Sequence, residues 1–126
     1  MCRKHITPLQ RATVYVRDGN CCVYCGTELH IGANTNDPKA ATVDHYHPHS
    51  GGGSDAVTNL VAACYRCNRR KSDASPRGWY SLLRLEGHTE KEIQTIQRRA
   101  ARRNNDNLNQ AARKAATTTL AVASND

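Results

Sequence analysis

The chain has 126 residues, a formal net charge of +7, no phenylalanine, one tryptophan, one methionine and a mean hydropathy of −0.72. This composition excludes a large apolar core and points to one small domain with appendages, held by a staple that its six cysteines can supply. There is no apolar run of about 18 residues to span a bilayer, and MCRKHITPLQRATVYV has no apolar stretch of about 7–15 residues to act as a secretory signal.

An intracellular location follows as the expectation, and with it cysteine pairs that bind metal rather than form disulfides. The positive charge is concentrated. Residues 66–103 carry eleven basic and four acidic side chains, whereas residues 1–65 and 104–126 are each balanced. A charge run is often no more than a solvated face, but this one begins inside the segment that carries the chemistry, which suits a phosphate-binding surface.

Residues 1–6 read as unstructured. Thr7-Pro8 is an N-cap followed by proline at the first helical position, and Gly19 stops the helix. Leu9, Ala12, Val16 and Thr13 share one face at helical spacing, with Arg11 and Arg17 elsewhere on the surface. Cys22-Val23-Tyr24-Cys25-Gly26 follows, a pair of thiols two residues apart with a glycine that permits a tight turn. Cys21 falls outside that spacing and reads as an ordinary small thiol. Segment 26–40 reads as a loop or loose hairpin.

Ala40 to Pro48 reads as a strand, Ser50-Gly51-Gly52-Gly53-Ser54 as a turn, and a second short strand runs through Leu60, Val61 and Ala62 after a turn at Asp55. Cys64-Tyr65-Arg66-Cys67 repeats the thiol pair, and Asn68-Arg69-Arg70-Lys71-Ser72 belongs to a helix beginning there. Ser75-Pro76 opens a helix through about Glu86 that contains Trp79, Leu82, Leu83 and Leu85, and Gly87 ends it. Thr89 with Glu92 forms a capping box for a helix through Ile93, Ile96 and Ala100 to about Arg103. Arg98, Arg99, Arg102 and Arg103 crowd its C-terminal end, where they also favour the helix dipole. Residues 104–126 have few apolar groups and are expected to be mostly disordered, with at most a frayed alanine-rich helix at 108–116. The expected organisation is a core at 1–75, a basic helical extension at 76–103 and that tail.

Four thiolates in two pairs, Cys22 with Cys25 and Cys64 with Cys67, suit a closed tetrahedral Zn²⁺ site. Such a site has no open position, so its zinc is structural. The bland alternative is two unrelated thiol pairs or disulfides.

Between the pairs lies DHYHPHSGGGSDAVTNL, followed by CYRCNRRKSD. This segment resembles the HNH endonuclease motif in its zinc-stapled form: Asp-His, Pro, paired glycines, Asn-Leu, Cys-x-x-Cys-Asn and Lys recur in order. The resemblance covers about residues 9–73. It implies an α+β fold, a small treble-clef-like ββα-metal finger with a structural four-cysteine zinc site and flanking helices. It also implies a metal-dependent nuclease of the free-standing kind found in phage and bacteria.

The residues make chemical sense on their own terms. Phosphodiester hydrolysis needs a base for water and a cation for the developing charge. His45, with an ordinary pKa of about 6.5, can be the base. Asp44 and Asn68 offer hard oxygen ligands that suit Mg²⁺ or Mn²⁺. The resemblance gives the same three residues the same roles, and it gives Asn59 the bracing of the loop that orients the base. Asn68 stands where the family's second namesake histidine is often found, which favours Mg²⁺ over softer ions.

His45, His47 and His49 alternate, so a three-histidine zinc site is an alternative. Pro48 interrupts the strand, and His47 is read instead as a phosphate or DNA contact. Arg66, Arg69, Arg70 and Lys71 are expected to grip the DNA backbone, and Arg98, Arg99, Arg102 and Arg103 to extend that grip. DNA is the expected partner, with RNA left open. The competing reading is a non-catalytic treble-clef zinc module that binds nucleic acid through basic helices. Such a module has no use for Asp44, His45, Asn59 and Asn68 at these places.

Overall fold

Strand β1 (Ala41–His45) pairs antiparallel with β2 (Leu60–Cys64), with Ala41 opposite Cys64 and His45 opposite Leu60. The computed structural model describes residues 6–124, so the unstructured start expected for residues 1–6 lies mostly outside the described residues. The helices are α1 (Pro8–Arg17), α2 (Tyr65–Lys71), α3 (Pro76–Leu85), α4 (Glu90–Ala100) and α5 (Asp106–Ser124). Short 3-10 turns lie at His49–Gly51, Val57–Asn59 and Ala101–Asn104. The result is a small α+β fold in which hairpin and α2 form a ββα finger.

A two-stranded hairpin is marginal by itself, and here it is covered from both ends of the sequence. Every residue of β2 is buried. Leu60 and Val61 share a core with Val14 of α1, Val23 of the first cysteine pair, Trp79 and Leu83 of α3, and Ile93 and Ile96 of α4. The helix starts are those the sequence indicates: Thr7 and Thr89 each form a capping box, and the Ser75 hydroxyl accepts from the Gly78 amide. The start of α2 has an unusual cap, the Cys64 sulfur, which accepts from the Cys67 amide.

The buried face of α1 differs from the one its spacing suggests. Thr13, Val14, Tyr15 and Arg17 are buried, and Val16 is 41 % exposed. The reason is that α1 packs against both β2 and α5, so its buried arc is set by two neighbours. Arg17, expected on the surface, is 3 % exposed and forms a two-pronged ion pair with Asp18 at 2.9 and 3.0 Å. Its guanidinium also donates to the carbonyls of Val57 and Leu60 and to Asn109 Oδ1. Asp18 in turn accepts from the Ala62 amide at 2.9 Å.

The disordered tail is the larger correction. Residues Asp106–Ser124 form α5, which lies along α1 and buries Asn109, Ala112 and Ala116. Low apolar content is a poor guide here because this contact uses alanines at helical spacing, whose small side chains allow close approach without bulk. Asn109 pins the junction: its amide donates to the Arg103 carbonyl at 2.9 Å while its oxygen accepts from Arg17. Asn109→Ala removes one acceptor from the buried Arg17 guanidinium and the donor to the Arg103 carbonyl. We expect it to cost about 1–3 kcal/mol, read as a lower urea midpoint; an unchanged midpoint shows α5 to be dispensable.

A candidate catalytic cleft beside a four-cysteine cluster

Cys22, Cys25, Cys64 and Cys67 converge, with all four sulfurs within 4.8 Å of one another. Zinc–sulfur bonds of about 2.3 Å in a tetrahedron put sulfurs about 3.8 Å apart, and Cys25 Sγ lies 3.8 Å from Cys64 Sγ. The donor set and spacing fit structural zinc. The thiols compete for protons among themselves: hydrogen bonding with Cys22 lowers Cys25 to about 2, and the contact with Cys25 pushes Cys22 well up.

The first cysteine pair also carries Tyr24, which points away from the cluster. Its hydroxyl donates to Asp44 Oδ2 at 2.6 Å. The same oxygen lies 3.1 Å from Lys71 Nζ, at the end of α2. Asp44 is 5 % exposed. Burial raises its carboxyl above the ordinary value, opposed by the Lys71 charge and the Tyr24 hydrogen bond. Oδ1 is left for the cleft that Asp44 lines. Lys71 also donates to the His45 carbonyl at 3.1 Å, so it ties two consecutive residues of β1 to α2.

His45, the next residue of β1, lines the same cleft as Asp44. Its Nε2 lies 2.7 Å from Asp55 Oδ1, and His49 Nε2 lies 3.7 Å from that same oxygen. The connection between the strands is clamped by Asn59. Its oxygen accepts from the His47 amide at 2.9 Å, and its nitrogen donates to the carbonyls of His47 and Ser54 at 3.0 and 2.8 Å. Gly53 sits inside this clamp, where a Cβ would meet the His47 carbonyl oxygen at 1.8 Å. His47 itself is exposed, and its side chain is apart from the pairing of His45 with His49.

Asn68 reaches back from α2 to β1, its amide nitrogen donating to Thr42 Oγ1 at 2.9 Å and to the Val43 carbonyl at 3.4 Å. That leaves its carbonyl oxygen for a cation. Asp44, His45, His49 and Asn68 line one cleft of about 500 Å³, together with Arg11 and Asp73. Two strand residues and one helix residue therefore meet at one cleft.

Residues 22–74 match the HNH endonuclease family. That segment is an HNH endonuclease domain. The chain is 34 % identical over 79 residues to the CRISPR-associated endonuclease Cas9 of Corynebacterium diphtheriae, which is 61 % of this chain and 7 % of that protein. It is 44 % identical over 62 residues to the Cas9 of Actinomyces naeslundii, covering 48 % of this chain and 5 % of that protein. The likeness is distant and confined to a small part of each relative.

Around the HNH domain the basic residues fall into separate groups. Arg66, Arg69, Arg98 and Arg102 are exposed. Arg70 is ion-paired with Glu86 and lies over the Trp79 ring. Arg99 donates to the Val23 carbonyl at 3.3 Å and covers Gly26, and Arg103 lies 3.9 Å above the Tyr46 ring. Lys71 is no surface phosphate contact: it is 2 % exposed, and the buried charge of Asp44 holds it inside. Tyr24, Asp55 and the inward turn of Lys71 are not foreseen from the sequence. A basic run gives no sign of which member folds under, and Asp55 stands ten positions from its partner in an irregular loop.

Removing one member of a buried ion pair costs about 3–5 kcal/mol because the other charge is left uncompensated. Lys71→Met should therefore destabilise the domain strongly, and adding Asp44→Asn should restore part of the loss. Additive losses in urea unfolding of the two single variants and the double variant would show that the pair is not coupled.

Proposed function

We propose that the HNH domain hydrolyses phosphodiester bonds of DNA, with His45 as general base and a divalent ion, Mg²⁺ or Mn²⁺, held by Asp44 and Asn68. The observation that carries this reading is the convergence of a carboxylate, an imidazole and a carboxamide on one cleft. Asp44 Oδ1 and the Asn68 carbonyl oxygen form a sparse, all-oxygen donor set, which suits a hard cation that keeps water and phosphate oxygens among its ligands. When bound, such an ion supplies Lewis acidity for the charge that develops on the phosphate and the leaving oxygen.

The chain's own residues do the rest. His45 takes a proton from the attacking water. Asn59 fixes the connection between the strands, so that the backbone after His45 does not drift. Lys71 supports Asp44 from behind with a fixed positive charge and holds the His45 carbonyl. Arg66, Arg69, Arg98 and Arg102 offer exposed charge for the backbone of the nucleic acid, which positions it without reading its bases.

Supercoiled plasmid tests this directly. Zinc-loaded protein should yield nicked or linear DNA with added Mg²⁺ or Mn²⁺ and none with chelator, and His45→Ala should abolish cutting. If wild type retards the plasmid but never cuts it, the chain is a zinc-stapled binding module instead. A variant with Arg66, Arg69, Arg98 and Arg102 all changed to Gln should bind DNA more weakly. Its slope of log affinity against log salt should be shallower by about 0.9 for each phosphate that the variant no longer neutralises. An unchanged slope would remove these arginines from the interface.

A further inference from the structure

The HNH reading leaves one hydrogen bond of its base unused. His45 bonds through Nε2 to Asp55 Oδ1 at 2.7 Å, and the two side chains are only 25 % and 17 % exposed. Asp55 is held from two directions. Its own carbonyl accepts from Gln10 Nε2 of α1 at 3.2 Å, while its neighbour Ser54 is tied by its carbonyl to Asn59 and by its hydroxyl to the Ala56 amide. Gln10 is itself fixed, because its side-chain oxygen closes the capping box with Thr7. The Asp55 backbone is thus anchored to α1 and to the clamped loop, and the His45 backbone is anchored to Lys71.

We propose that Asp55 is the positioning residue of the base: it holds the His45 ring by Nε2 and thereby presents Nδ1 as the nitrogen that takes the proton. This rests on the reading of His45 as general base. A carboxylate only accepts hydrogen bonds, so a neutral ring bonded to it donates Nε2–H and keeps its lone pair on Nδ1. No described residue bonds to Nδ1. The attacking water gives one proton to Nδ1 while its oxygen forms the bond to phosphorus; the P–O bond on the opposite side breaks, and the leaving oxygen keeps the electron pair and takes a proton from solvent. The resulting imidazolium keeps Nε2–H directed at Asp55. An acid that orients an imidazole and stabilises its cation is familiar from hydrolytic triads; here the two ring nitrogens exchange places. His49, whose Nε2 is 3.7 Å from the same oxygen and whose ring stands edge-on to His45 at 5.5 Å, lies close enough to share the carboxylate but is not the group it serves.

The test combines a spectrum with kinetics. In protein labelled with ¹⁵N-histidine, the neutral His45 ring should show an Nε2-bound proton that is shifted downfield and slowed in exchange. Signals are assigned by their loss in His45→Gln. The feature should vanish in Asp55→Ala and persist in His49→Gln. With Mg²⁺ and plasmid, Asp55→Ala should lower kcat about 10- to 100-fold at unchanged KM, and Asp55→Glu should recover part of it. Zinc content and the urea midpoint of the near-isosteric Asp55→Asn show whether the fold survives. A proton on Nδ1 in the wild type, or kcat in Asp55→Ala within about twofold of wild type, overturns the proposal. An Asp55-dependent Nε2–H in a protein that cuts nothing sinks the base assignment instead, and with it any catalytic purpose of the tether.

Discussion

The buried carboxylate of Asp44 is the constraint on which the finger turns. Placing a charge in a site 5 % exposed costs several kcal/mol unless it is paired and hydrogen-bonded. The chain offsets that cost from two directions, with Lys71 from the end of α2 and Tyr24 from inside the first cysteine pair. Strand, helix and thiol turn must therefore meet at one oxygen atom. Tyr24 also packs edge-on against Trp79 at 5.6 Å, which carries the same junction into α3. An ion pair that could be mistaken for a structural convenience thus fixes the distance between β1 and α2, and that distance decides whether Asp44 and Asn68 face a common cleft.

What could be read from the sequence was local. Thr7-Pro8, Ser75-Pro76 and Thr89 with Glu92 announce helix starts because the capping chemistry is contained within four residues. Cysteine spacing announces the cluster for a similar reason, and the Asp-His pair with Asn59 and Asn68 stands out by residue type and order. What could not be read was decided by partners far away in the chain. Arg17 is buried because Asn109 and the carbonyls of Val57 and Leu60 receive it. Lys71 is buried because Asp44 is, although the same run leaves Arg69 exposed. α5 is invisible in the sequence because alanine packing leaves hardly any trace in hydropathy.

The C-terminal elements are joined to the finger by specific groups as well as by apolar contact. Arg99 of α4 reaches over Gly26 to the Val23 carbonyl, so a basic helix leans on the backbone of the first thiol turn. Arg103 caps the Tyr46 ring, whose hydroxyl meets that of Tyr80 at 2.8 Å. Arginines that look interchangeable in sequence therefore divide between those that build the domain and those left exposed at its surface. Charge alone does not separate them. The partners of each guanidinium do.

The three glycines of the loop are unequal, and the difference concerns how such a domain can change over time. Gly53 is compelled by the His47 carbonyl beside it, and Gly52 has a left-handed backbone at φ +89° with open space around it. Gly51 has neither restriction: the nearest atom to a Cβ there is Pro48 Cγ at 3.7 Å. The loop thus has one position fixed by the His47 carbonyl and, two residues before it, one where a Cβ meets only ordinary contact. Variation at Gly51 can alter the outer surface of the loop while leaving Gly53 and the Asn59 clamp intact, so that surface can drift while the backbone after His45 keeps its place.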